Sequence, residues 1–217
     1  MKAAPTVADS IHAELRDRIL KGTFPPGSLL RQEELAKSFG SSRVPLREAM
    51  TRLEVEGLLL LRPRRGYAVR SLAPSEITEI FDLRAVVEEH LGEYAARNRT
   101  QDDLKVVSQI LERMERIKLE TPEDRSSWLD ANTAFHMALF AAAHRDQSAR
   151  FASMLRDQVE PYIRIEINLT GDVTQPGFEH RQMYDALGEG DHKTLRKLCR
   201  RHCENTASRL TQALKTR

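Results

Sequence analysis

The chain has 217 residues, 40% hydrophobic, 30% charged and 6% aromatic, with a formal net charge of +2. That suits a small packed domain plus a medium one, and no apolar run approaches the roughly 20 residues of a membrane helix, so no membrane partner is expected. Met1–Ser10 has no apolar signal segment, and Cys199 and Cys203 supply no disulfide framework, so a reducing cytoplasm is the expected location. The charge is uneven: residues 1–70 hold 13 Lys/Arg against 8 Asp/Glu, or +5, which leaves −3 for residues 71–217. A polyanion contact is therefore expected at the N-terminus.

In chain order, Ile11, Leu15, Ile19 and Leu20 make an apolar stripe that predicts a helix over about Val7–Lys21, stopped by Gly22. Phe24-Pro25-Pro26-Gly27 is a rigid turn, and Leu29 and Leu30 lead into a second helix, Gln32–Phe39. Gly40 suits a left-handed helix end, and Ser41 or Ser42 can cap the next helix, Arg43–Glu56, with Pro45 in its first turn. Leu46, Met50, Leu53 and Val55 are its expected buried side. Leu58–Leu61 and Tyr67–Arg70 read as short strands around a basic turn, where Gly66 supplies the positive φ. Residues 71–75 read as a linker. Beyond it come helices over about Pro74–Asn98, Thr100–Glu120, Pro122–Ala143, Gln147–Asn168, Pro176–Glu189 and Asp191–Leu214. The expected fold is mainly α: an N-terminal winged helix-turn-helix (1–70), then an all-α bundle of six or seven helices (76–217).

A positioning helix, a tight turn, a helix carrying arginines and a basic hairpin tip are what a winged helix needs to read duplex DNA. Arg43 and Arg47 are four apart and share one face at the start of the recognition helix, where arginine can bond guanine in the major groove. Ser42 and Glu34 can hold phosphate or orient the arginines. Arg31 and Arg64 are placed for phosphates, and Arg65 with Gly66 at the wing tip.

The chain resembles the GntR family of bacterial transcription regulators. The residues that carry the likeness are Ile19-Leu20-Lys21-Gly22, Pro26-Gly27, Leu35-Ala36, Ser42 through Met50, Leu53, Glu56-Gly57-Leu58 and Arg65-Gly66. The resemblance implies a wing that reaches the adjacent minor groove, and a homodimer that places two winged helices on an inverted-repeat operator.

In the helical part, Asn132 and His136 share a helix face, His180 begins another helix, and His202 falls in line with Leu195, Leu198, Cys199 and Thr206. Three histidines from three helices thus face inwards, and imidazoles suit Zn²⁺, Ni²⁺ and related metals. This region is similar to the FCD effector domain of the FadR subfamily, at Leu83-Arg84 with Glu88, Phe135-His136, Glu179-His180, Gly190-Asp191 and His202. The resemblance implies a divalent metal, zinc or nickel, held by Asn132, His136, His180 and His202, with Asn132 standing where many relatives carry Asp. It also favours Arg84 as a bidentate clamp on an effector carboxylate, against the alternative of a salt bridge with Glu88. Tyr162 and Arg164, after a helix-breaking Pro161, are candidates for the same pocket. Cys199 is a further thiolate candidate, set against the commoner role of a small buried hydrophobe.

The expected function is a ligand-responsive repressor, not an enzyme, whose operator affinity responds to a small organic or sugar acid. The alternatives are a metalloenzyme, for which Glu179 is the nearest base but is expected to turn away from His180, and a regulator that senses the metal itself.

Overall fold

The computed structural model describes residues 4–215 and divides after Ala73 into two compact units. The first contains α1 (Val7–Leu20), β1 (Leu29–Leu30), α2 (Gln32–Ser38), α3 (Arg43–Val55), β2 (Leu59–Arg62) and β3 (Gly66–Val69). The strands form an antiparallel sheet in the order β1-β3-β2, with Leu30 opposite Tyr67 and Arg62 opposite Gly66. β1 extends the expected two-stranded wing by one short strand. Gly66 has φ +83°, the turn conformation its lack of a side chain permits.

Ile11, Leu15 and Ile19 of α1 and Leu46, Met50 and Leu53 of α3 form the core with Leu35, Leu59, Tyr67 and Val69. Val55 is an exception to the expected stripe: it is 79% exposed, because the last turn of α3 carries it past the edge of the core. Ser42 occupies the N-cap position of α3 but makes no side-chain capping bond, and the Ser41 hydroxyl donates to the Ser42 carbonyl instead.

The second unit is six helices: α4 (Pro74–Asn98), α5 (Gln101–Glu115), α6 (Pro122–Ala141), α7 (Asp146–Thr170), α8 (Thr174–Glu189) and α9 (His192–Lys215). Pro74 and Ser75 belong to the first turn of α4 rather than to a linker. α1, α5 and α6 each begin with a threonine N-cap whose hydroxyl accepts the N–H of an aspartate three residues on, while that carboxylate accepts the cap N–H. These boxes satisfy backbone donors that a helix start leaves free.

α4 and α9 form the most extensive helix pairing. Gly92 allows it: a Cβ there would lie 2.6 Å from Cys199 Sγ and 3.2 Å from the Leu195 carbonyl. Cys199 is therefore packed against α4. Pro161 does not break α7, which runs through it to Thr170. A proline forfeits one helical hydrogen bond, but Val159 through Ile163 are buried, and that packing holds the helix together. α5 ends at Glu115, earlier than the expected Glu120; Leu119, at φ +56°, lies outside any helix.

Candidate functional site

In the first unit, the start of α3 and the turn between β2 and β3 present a basic surface. Arg31, Arg43, Arg47, Arg64 and Arg65 are all exposed. Arg31, Glu33, Glu34, Arg43, Arg65 and Gly66 line one open groove. Within it Arg31 Nη1 donates to Glu34 at 2.9 Å, and Arg43 is ion-paired with Glu33. Glu34 thus orients Arg31, while Arg43 is oriented by Glu33, a residue that sequence reasoning did not single out. Val44, an apolar side chain 77% exposed beside Arg43, was likewise not singled out. Its place on the recognition helix, between two arginines assigned to bases, was the available signal.

In the second unit, the histidines of α6, α8 and α9 come together. One ring nitrogen or more of each of His136, His180 and His202 lies within 4.8 Å of the others, and all three rings are buried. His136 Nε2 and His180 Nε2 are 3.2 Å apart, within hydrogen-bonding distance of each other. The Nδ1 atoms of both are buried with no hydrogen-bond partner. Burial first, then the positive charge of Arg156 and the repulsion a second protonated ring at His202 would exert, holds the His136 imidazole well below its ordinary pKa of 6.5. Burial, with His202 and Arg156, does the same to His180. Both rings are neutral at pH 7, the form that offers a lone pair.

His202 is held from outside the cluster. Its Nδ1 pairs with Glu179 Oε2 at 2.6 Å, and Glu179 Oε1 accepts from Asn205 at 2.6 Å and Gln175 at 3.0 Å. Burial alone would raise the Glu179 pKa, but these donors outweigh it and lower it. The expectation that Glu179 turns away from His180 is consistent with its binding His202 instead. That role was missed because it depends on where α9 sits, which the periodicity of α8 does not report.

The residues fit a divalent metal. Two nitrogens bound tetrahedrally to one zinc at about 2.0–2.1 Å lie about 3.3–3.4 Å apart, close to the 3.2 Å between the His136 and His180 nitrogens. The His202–Glu179 pair is the arrangement that fixes the tautomer of a metal-bound histidine. Asn132, one turn before His136, is buried and lines a cavity with His202.

That cavity is also lined by Arg84, Trp128, Arg156, Glu166, Thr206 and Arg209. Arg84 makes the salt bridge with Glu88 that was one of its two expected roles. Its Nε donates to Glu88 at 2.7 Å, while its Nη1 is buried without a partner. Tyr162 and Arg164 are not among the lining residues; Ile163, Glu166 and Ile167 represent that stretch of α7. Arg164 reaches Asp130 at 2.6 Å and Glu160 at 3.2 Å. Positions one residue either side of Ile163 are rotated about 100° from it around the helix, which takes both side chains off the cavity face. Arg156 and Arg209 were missed. Arg156 lies seven residues before Ile163, in phase with it, but nothing in the sequence says that this face borders the histidines.

Residues 7–69 match the bacterial regulatory proteins of the gntR family, and residues 79–205 match the FCD domain. The chain is 29% identical to the uncharacterized HTH-type regulator YdhC of Bacillus subtilis, over 93% of this chain and 89% of the relative. It is 30% identical to a probable D-xylose utilization operon transcriptional repressor of Paenarthrobacter nicotinovorans, over 86% and 80% of the two chains. E. coli McbR/YncC has the same fold, with a TM-score of 0.84 at 20% identity, covering 95% of this chain and 98% of that one. The chain belongs to the gntR family of bacterial regulators that carry an FCD domain, and is a DNA-binding transcriptional regulator rather than an enzyme.

Proposed function

We propose that this regulator is a repressor whose grip on its operator is set by a small carboxylate bound beside a divalent metal in the helical unit. One observation carries the reading: three buried histidines, two of them held neutral, converge beside a cavity lined by a buried arginine that has an unpartnered N–H. His136, His180 and His202 would hold the metal, with Asn132 as the oxygen donor. The metal would supply a positive charge for one carboxylate oxygen. Arg84, steadied by Glu88 and lying 4.6 Å from the Phe81 ring centre, would take the other oxygen and fix the acid's orientation.

Arg43, Arg47 and Val44 would read bases, with Arg65 and Gly66 at the wing and Arg31 and Arg64 on phosphates. The protein would act as a homodimer on an inverted repeat. Leu83 and Val86 on α4 and Phe151 and Met154 on α7, two helices that pack together, are exposed apolar residues that a second copy could cover. The acid changes operator affinity to the extent that it binds the DNA-competent and released forms unequally. Repression follows the named role of the xylose-operon relative.

The test is the metal content of untagged protein beside the triple variant His136→Ala, His180→Ala, His202→Ala, with operator binding measured against small carboxylates. Stoichiometric metal that the variant lacks, and an acid that shifts operator affinity only in the metal-loaded protein, are the expected results. Metal-free wild-type protein that refuses added Zn²⁺ and Ni²⁺ would end the reading.

A further inference from the structure

The cavity beside the histidines carries more donors than one carboxylate can use. Arg84 comes from α4, Arg156 from α7 and Arg209 from α9. Arg156 is 3% exposed, yet its Nε and Nη2 have no hydrogen-bond partner. Its nearest carboxylate contact, Glu160 Oε2, is 3.6 Å away, too far for a hydrogen bond. Glu160 Oε1 lies 3.2 Å from Arg164 Nε without a hydrogen bond, so this carboxylate stands between two guanidinium groups and is hydrogen-bonded to neither. Arg209 donates to Thr206 at 3.0 Å through Nη2, while its Nε and Nη1 are buried and unpartnered.

Buried guanidinium N–H groups left without acceptors are costly, and like charges gathered together add to that cost. Burial lowers the Arg156 pKa most, and the charge of Arg84 pushes the same way against Glu160. Arg84 has one unpartnered nitrogen for a first acid group. Arg156 has two, on a different helix, and a guanidinium's paired N–H groups fit the two oxygens of an oxyanion.

We infer that the effector carries two oxyanion groups, the first directed to the histidines and Arg84 and the second clamped by Arg156 with Arg209 closing over it. This rests on the reading of the cavity as a carboxylate site. The cavity is narrow, about 20 Å³, room for roughly one water. Arg209 and Glu166 also line an outer pocket of about 360 Å³ with Asp172 and Gln212. Arg209 is only partly buried, so it is the part of the wall that an entering acid displaces.

Calorimetry on the metal-loaded full chain tests this with matched probes: malate against lactate, succinate against butyrate, and 2-phosphoglycolate against glycolate. At least one probe with two oxyanion groups should bind about tenfold or more tighter than its monoanionic partner, the scale of a charge-assisted clamp. The phosphate pair shows whether the second oxyanion is a phosphate or a carboxylate. Arg156→Gln should bring that ratio to within about twofold while monoacid binding persists. Monoacids that bind as tightly as every probe with two oxyanion groups would overturn the second clamp and leave the carboxylate site standing. Failure of every acid would overturn both. The wild-type ratios need no variant, so misfolding of Arg156→Gln cannot hide the answer.

Discussion

His202 Nδ1 lies 2.6 Å from Glu179 Oε2, and the carboxylate is in turn held by Asn205 and Gln175. The pair leaves the other nitrogen of His202 as the one available to His136 and His180, and it makes Glu179 part of the candidate metal site without being a ligand. Glu179→Gln keeps the shape but removes the charge that stabilises the Nδ1–H tautomer. Metal affinity, measured by competition with a chromogenic chelator, should fall about 10- to 100-fold. Unchanged affinity would mean that the pair serves only to tie α8 to α9.

The histidine cluster was legible in part because it lies on three inward stripes, and helical periodicity reports which way a residue faces on its own helix. It does not report which neighbour that face meets. Arg156 and Arg209 therefore went unread, Glu179 was read only as turned from His180, and Tyr162 and Arg164 were nominated although Ile163, Glu166 and Ile167 line the cavity. The winged helix was more legible because glycines, capping positions and basic residues mark each of its turns locally. Even there the Glu33–Arg43 pair joins residues ten apart on two different helices, and neither helix's pattern contains it. Pro161 shows a local rule overruled by packing on both sides of it.

Arg43 and Arg64 should fail in different ways. Arg43→Ala should cost about 1–3 kcal/mol of operator binding and relax the sequence preference at one position of each half-site. Arg64→Ala should weaken operator and unrelated DNA alike and reduce the slope of log affinity against log salt by about 1. Binding titrations across a salt series with both DNAs separate the two patterns. Loss of sequence preference in the Arg64 variant would reverse the assignment.

Glu33→Gln tests whether that carboxylate competes with DNA for Arg43. Without it Arg43 has no ion pair to break, and a negative charge leaves the groove. Affinity for DNA of any sequence should rise a few-fold at low salt, and the gain should shrink as salt screens it. A drop in operator affinity would show instead that Glu33 holds Arg43 in its reading position.

Asp9 ties the start of α1 to α3. Its carboxylate accepts from Arg52 at 2.7 Å and from the Thr6 N–H at 2.8 Å. The Arg52 hydrogen bond first, then the Thr6 backbone, lowers its pKa from 3.8 to about 2. For an acid lowered on folding, the stabilisation is complete above the unfolded pKa and disappears as pH falls through the folded one. The stability difference between wild type and Asp9→Asn in urea should be constant above about pH 5 and shrink towards pH 2. A difference that does not vary over that range would remove the charge from the account and leave only the capping geometry.

Gly92 sets how closely α4 and α9 approach, and its replacement separates crowding by a side chain from crowding by backbone. In Gly92→Ala the new methyl would meet Cys199 Sγ at 2.6 Å and the Leu195 carbonyl at 3.2 Å. Overpacking of this kind costs about 1–3 kcal/mol, against which alanine's better helix propensity recovers up to about 1 kcal/mol. Urea unfolding of Gly92→Ala should therefore show a net loss. Cys199→Ala clears the closer contact but not the carbonyl, so the double variant should be more stable than the sum of the two single losses predicts. That positive coupling is expected because the sites touch. Strict additivity would mean that α9 shifts away as a unit, and the α4–α9 spacing would then not depend on the missing side chain.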